Sequence, residues 1–143
     1  MSRKITDKKE ALAQLKDDGW VLSMVSDELK ADKELVMAAV EDSINALEYA
    51  SDELKADKEV VMAAVRIQGS ALVHASDELK ADKEVVMAAV EHPYQGDNLV
   101  HASDELKADK EVVMVAVKDL PYTLQFASDE LQNDPEILDG LDN

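Results

Sequence analysis

Apolar and polar positions follow one short pattern that recurs along the chain. The string Ala-Ser-Asp-Glu-Leu-Lys-Ala-Asp-Lys-Glu-Val-Val-Met-Ala-Ala-Val runs from Ala50 to Val65 and recurs unchanged from Ala75 to Val90. It recurs again from Ala102 to Val117 with Val115 in place of Ala, and looser copies begin at Val25 and Ala127. With the serine as origin, Ser26, Ser51, Ser76, Ser103 and Ser128 are separated by 25, 25, 27 and 25 residues. The two extra residues fall in Glu91-His92-Pro93-Tyr94-Gln95, ahead of Gly96. A fixed period of this length is the signature of a repeat architecture.

The pattern predicts two helices per unit. Gly19, Gly69 and Gly96 lie seven residues before their serine, a place that suits the C′ position closing the preceding helix. Asn45, Ser70 and Asp97 then stand where N-caps are expected. A first helix is predicted from Ala71 to Lys80, with Leu72, Ala75 and Leu79 at i, i+3 and i+7 on one stripe and Asp77, Glu78 and Lys80 facing away. Ser51, Ser76 and Ser103 fall in the middle of such helices. Lys80-Ala81-Asp82 forms the turn, Asp82 caps the second helix, and Glu84 lies in the first turn, where the helix dipole favours a carboxylate. Pro135 follows Asp134 at the equivalent place, the N1 position that tolerates proline. The second helix, Lys83 to about Val90, is apolar on every side and is predicted to be buried between layers. Its β-branched run alone would suit a strand. The leading Asp, the glycine beyond its end and the Met-Ala-Ala centre agree on helix.

Both ends depart from the consensus. Asp7 to Leu15 aligns with Asp57 to Val65 but is more polar, as a capping half-repeat should be. Glu136 to Leu141 is truncated and acidic and reads as a second cap. About eleven short helices result, none long enough to be stable alone, so stacking must supply the stability. The fold expected is all-α: an α-solenoid-like stack of about five 25-residue two-helix repeats with a helical half-repeat cap at the N-terminus. The single array divides roughly into 6–18, 19–42, 43–68, 69–95, 96–120 and 121–143.

Composition narrows the function. The 143 residues carry 32 Asp plus Glu against 15 Lys plus Arg, a formal charge of −17, which opposes binding to nucleic-acid backbones and anionic membranes. Apolar residues make up 46%, so a packed protein is expected and not a disordered acidic tail. Aromatics are scarce, so the core should be Ala, Val, Leu and Met. The absence of Cys excludes disulfide scaffolds, thiol catalysis and Cys-ligated zinc. No apolar run approaches ~18 residues, so no transmembrane helix is expected. The start, Met1 to Asp7, leads straight into a charged amphipathic segment, so no secretory signal is expected. The expected location is cytoplasmic, or inside a host cell if the protein is a delivered effector.

The unit Gly-x-Ala-Leu-x-His/Tyr-Ala-Ser-x-Glu-Leu-Lys-x-Asp-Lys-Glu-Val-Val-Met-Ala-Ala-Val, carried here by Gly69 to Val90, Ala46 to Val65 and Gly96 to Val117, resembles a tandem short helical repeat family. That family is known only as a domain of unknown function, with tandem copies in bacterial proteins, including effectors of intracellular pathogens, and in large viruses and protists. The resemblance covers Thr6 to about Leu138. It implies a helical repeat fold and no catalytic residues. Pro121 and Tyr122 in the last unit, and Trp20 in the first, depart from the family's glycine and cap positions.

Candidate chemistry lies on the outside. Asp77, Glu78, Asp82 and Glu84 recur in every full unit, and stacked helices lie about 8–10 Å apart, so the copies should form ladders of negative charge. Such ladders are either a solvated, capping face or a surface for a basic partner. The candidate partner-binding residues are Asp52, Glu53, Asp77, Glu78, Asp104 and Glu105, joined by Trp20, Tyr94 and Tyr122, which fall near turns along one edge. No calcium loop with its closing Glu is present, and adjacent Asp77 and Glu78 point apart. His74 and His101 share a repeat position with Met24, Tyr49 and Phe126, which marks a half-buried packing site and not a ligand site. His92 sits in the insertion. No serine lies in a nucleophile elbow, and the glycines are isolated, so no phosphate loop exists. The expectation is no enzyme, no metal and no cofactor. The function expected is a protein–protein interaction or scaffold module with a periodic acidic surface and a basic protein partner, without direct nucleic-acid or membrane binding. The alternatives are a nucleic-acid-mimicking inhibitor of a nucleic-acid-binding protein and a structural spacer repeat of a larger effector.

Overall fold

A computed structural model describes residues 4–16, 19–43, 45–91 and 96–141. The half-repeat is α1 (Lys8–Leu15), preceded by a single parallel β-bridge between Ile5 and Val25. Unit one holds the 3-10 helix η1 (Gly19–Met24), α2 (Asp27–Lys30) and α3 (Lys33–Asp42). Unit two holds α4 (Ala46–Tyr49), α5 (Asp52–Lys55) and α6 (Lys58–Ile67). Unit three holds η2 (Gly69–His74), α7 (Asp77–Lys80) and α8 (Lys83–Val90). Unit four holds η3 (Gly96–His101), α9 (Asp104–Lys107) and α10 (Lys110–Asp119). The last holds η4 (Pro121–Phe126), α11 (Asp129–Gln132) and α12 (Pro135–Leu141). The all-α repeat stack expected from the sequence is therefore present. Among the described residues no helix is long and apolar enough to cross a membrane.

The long helices begin where the Asp residues place them. Asp32, Asp57, Asp82 and Asp109 each accept the backbone N–H three residues on, at 3.0–3.2 Å, satisfying one of the orphan donors of a helix start. Pro135 opens α12 behind Asp134, which accepts from Glu136 and Ile137.

The expected first helix, Ala71 to Lys80, is instead divided into η2 and α7. Ala75 and Ser76 are extended, with ψ of 159° at both. Serine 76 is thus an N-cap and does not lie mid-helix: its hydroxyl accepts from the Leu79 N–H at 3.3 Å. Its own N–H donates to the Lys55 carbonyl of the preceding unit at 2.9 Å. A serine inside a continuous helix would forfeit the first bond and, with it, the second. Ser51, Ser103 and Ser128 repeat the arrangement on Lys30, Lys80 and Lys107 at 2.9 Å, and Ser26 does so on Ile5 at 2.8 Å. These backbone bonds stitch every unit to its predecessor.

Other capping expectations are corrected. Asn45 makes no side-chain cap bond, and Ser70 and Asp97 lie within η2 and η3 and not ahead of them. Gly69 does follow the C-cap Gln68 directly, but α8 already ends at Val90 with Glu91 as C-cap, so Gly96 does not close it. The insertion at 92–95 lies outside the described residues. Its effect on register is nil, since Ser103 still donates to Lys80. Buried Asn98 helps on the near side, donating to the Ala89 carbonyl at 3.1 Å.

Two layers enclose the core. Each of α3, α6, α8, α10 and α12 packs on the long helix before it, starting from α1, while η1, α4, η2, η3 and η4 stack in a second row. Leu22, Leu47, Leu72 and Leu99 from that row are 0% exposed and share one buried core with Val36, Val61, Val86 and Val113 of the long helices. Each such leucine contributes roughly 1.5–3 kcal/mol by leaving water. The long helices are not buried all round, as expected from their apolar run. Met37, Met87, Ala38, Ala63 and Ala88 are half-buried and Met114 is exposed, so the Met-Ala side forms an outer stripe.

Candidate interaction surface

Two classes of carboxylate emerge, and they behave differently. In the first class, Asp82 and Glu84 are both held by Lys58, at 3.0 and 2.8 Å. The geometry recurs: Lys8 holds Asp32 and Glu34, Lys33 holds Asp57 and Glu59, Lys83 holds Asp109 and Glu111, and Lys110 holds Asp134 and Glu136. The lysine opening one long helix thus bridges the cap and second residue of the next. The expected ladder of unbroken negative charge along this column is therefore interleaved with cations. Burial alone would raise the carboxyl of Asp82, but the Lys58 and Val85 hydrogen bonds outweigh it and hold it below its usual range. Donation to Glu84 and Asp82 in turn holds the Lys58 ammonium above its usual range.

The second class is the pair opening each short helix. Asp52 and Glu53 on α5, Asp77 and Glu78 on α7, and Asp104 and Glu105 on α9 are all exposed. Among the described residues none of these six has a cationic nitrogen within 4 Å. Asp27 with Glu28, and Asp129 with Glu130, occupy the same places on α2 and α11. Because the serine caps fix each short helix to the unit before it, these pairs recur in one column. They are the surface that the sequence singled out, extended by one unit at each end.

The other candidates divide. Trp20 and Tyr122 each take the second position of a 3-10 helix and are 52% and 55% exposed. Trp20 leans on Tyr49, ring centroids 6.1 Å apart at 59°, an edge-tilted contact. Tyr94 lies outside the described residues, as does His92. His74 and His101 are half-buried in the column that also holds Tyr49 and Phe126. Burial pushes both imidazoles below their ordinary value, and nearby Lys80 adds to this in each case. Among the described residues no group of three or more His, Asp or Glu is placed to hold a metal ion.

The lysine rungs were missed by sequence reasoning, although Asp-Lys-Glu recurs in every full unit. Read locally, those residues are a cap and a first turn; their partners are a whole repeat away.

A family model described as a domain of unknown function, DUF4116, matches residues 11–55, 57–107 and 109–138. No curated protein matches the chain, and no solved structure does.

Proposed function

The chain belongs to the DUF4116 family, which carries no assigned activity, and from that premise we propose that it is a non-enzymatic module that binds a basic protein surface through its outward carboxylate column. The observation that carries this reading is the recurrence of exposed Asp-Glu pairs at one position of every unit, Asp52/Glu53, Asp77/Glu78 and Asp104/Glu105 among them, with no cationic nitrogen within 4 Å of these six among the described residues. Neighbouring helices lie about 8–10 Å apart. The Debye length at physiological salt is ~8 Å, so adjacent pairs reinforce one another at low salt and act nearly singly above it. A partner with spaced lysines or arginines meets several pairs at once, and steering by the net charge of −17 speeds the encounter.

The lysine rungs favour this reading over mimicry of a nucleic acid. A mimic needs continuous negative columns, and here one of the two columns alternates in sign. A mere spacer needs no exposed charge at a fixed place. Titration with an oligolysine peptide at about 20 mM and about 150 mM salt tests the proposal. Binding should weaken about tenfold or more over that range, and again when the six residues become Asn and Gln. Binding that ignores both salt and the substitutions, or no binding at the lower salt, overturns it.

A further inference from the structure

The outer Met stripe changes character at its C-terminal end. Aligned on Pro135, helix α12 places Asp139 where α8 has Met87, and Gly140 where α8 has Ala88. A groove of about 330 Å³ lies between α10 and α12, with apolar walls of Met114, Val117 and Pro121 on one side and Ile137 and Leu141 on the other, and with Lys118 and Glu136 also on its lining. A Cβ built on Gly140 meets nothing within 4 Å, so the floor is open. Met114 is 38% exposed there, whereas its mid-stack counterpart Met62 is 8% exposed. Leu138 at 40% and Tyr122 at 55%, next in sequence to the lining residues Ile137 and Pro121, are also exposed.

Charge tells what fits. The last unit has lost both of its repeat lysines: Gln132 stands where Lys107 does, and Pro135 where Lys110 does. From Lys118 to Leu141 the chain carries one cation, Lys118 on the groove wall, against six carboxylates, Asp119, Asp129, Glu130, Asp134, Glu136 and Asp139, of which Asp134 and Glu136 are already held by Lys110, so the segment stays net negative. An apolar groove in so acidic a setting suits an occupant with an apolar stripe and flanking cations. A second copy of this chain, at −17, is repelled. A trough between two helices is the geometry in which a third helix lays its apolar face, and an exposed Met adapts to differing side chains.

We propose that the groove between α10 and α12 is the docking site for a basic amphipathic helix of a partner protein, which seats apolar side chains against Met114 and Ile137 and sets its cations on the surrounding carboxylates. This rests on the preceding reading for the partner's basic character and adds the place and the apolar anchor.

The test uses a synthetic Leu/Lys peptide with leucines at helical i, i+3, i+4 and i+7 spacing, a Leu/Glu peptide of the same pattern, and the leucine-free oligolysine. Methionine-methyl NMR and fluorescence titration report binding to the full chain. The Leu/Lys peptide should shift the Met114 methyl and leave Met62 in place. Gly140→Leu, which fills the groove from an open position, should weaken it about tenfold or more, while oligolysine binding stays unchanged. Met114→Lys, at a surface position, should weaken it similarly and guards against a folding defect in the first variant. Equal binding by the Leu/Glu peptide, insensitivity to both substitutions, or shifts at Met62 alone would overturn the proposal. Loss of oligolysine binding with retained, Gly140→Leu-sensitive Leu/Lys binding would remove the carboxylate-column reading and leave the groove standing.

Discussion

Substituting Ser76 separates two bonds that the residue makes at once. Its hydroxyl caps α7 through Leu79 N–H at 3.3 Å, and its backbone N–H reaches back to the Lys55 carbonyl at 2.9 Å. Ser76→Ala removes only the cap, a loss of about 1 kcal/mol. Ser76→Pro removes both. The backbone accepts proline without local strain, since φ at Ser76 is −64° and Ala75 before it is extended at φ −72°, ψ 159°. The Lys55 carbonyl then loses its donor and faces the proline ring, which adds about 1–3 kcal/mol. Proline's restriction of the unfolded chain returns about 0.4–1 kcal/mol. The expected totals are about 1 kcal/mol for Ser76→Ala and about 1–3.5 kcal/mol, centred a little above 2, for Ser76→Pro, measured by urea denaturation followed by circular dichroism. For a chain of this length each kcal/mol should lower Tm by about 3–4 °C. If the two variants are equally stable, the stitch between units contributes nothing and the reasoning fails. If Ser76→Ala is neutral, serine does not act as the cap.

Three further outcomes follow from the same structure. Leu72→Ala should cost about 2–5 kcal/mol in the same denaturation experiment, because Leu72 is fully buried between the two rows and leaves a cavity. Lys58→Glu places a third carboxylate beside Asp82 and Glu84, so its Tm should fall at low salt and recover as salt screens the repulsion, opposite to the trend for a paired rung. Stability should be flat between about pH 7 and pH 10 and decline on either side. Below an ordinary imidazole value of 6.5, the unfolded chain takes up protons that folded His74 and His101 resist, so stability falls. It falls again below 3.8 as the Asp82 class of caps is protonated, and above 10.5 as the lysine rungs lose their protons. Thermal melts across pH check each step, and a melt profile rising below pH ~6 would contradict the assignment.

The long helices were legible because their signals are local. Asp82, Glu84 and the Val-Val-Met-Ala-Ala-Val run fixed α8 at Lys83–Val90 without reference to any other unit. The short elements were not, because their conformation depends on a neighbour. Leu72, Ala75 and Leu79 show the same spacing whether they lie on one helix or on η2 and α7. What breaks the helix at Ser76 is a bond to Lys55 that periodicity does not reveal. The candidate surface shared this division. The exposed pairs such as Asp77 and Glu78 were readable from their polarity, but the partial neutralisation of Asp82 and Glu84 by Lys58 belongs to the stack. The terminal groove accompanies the change from Met87-Ala88 to Asp139-Gly140, which read only as a truncated cap until the helices were set side by side.

Native-state hydrogen exchange tests most directly whether the units are joined as described, since the column of exposed carboxylates exists only if they are. The amides of Ser51, Ser76, Ser103 and Ser128 should exchange slowly, close to a core amide such as that of Val86, which bonds to Asp82. Asp77, at the first position of α7 and without an intrahelical acceptor, should exchange fast in the same sample. Serine amides exchanging as fast as Asp77 would contradict the account.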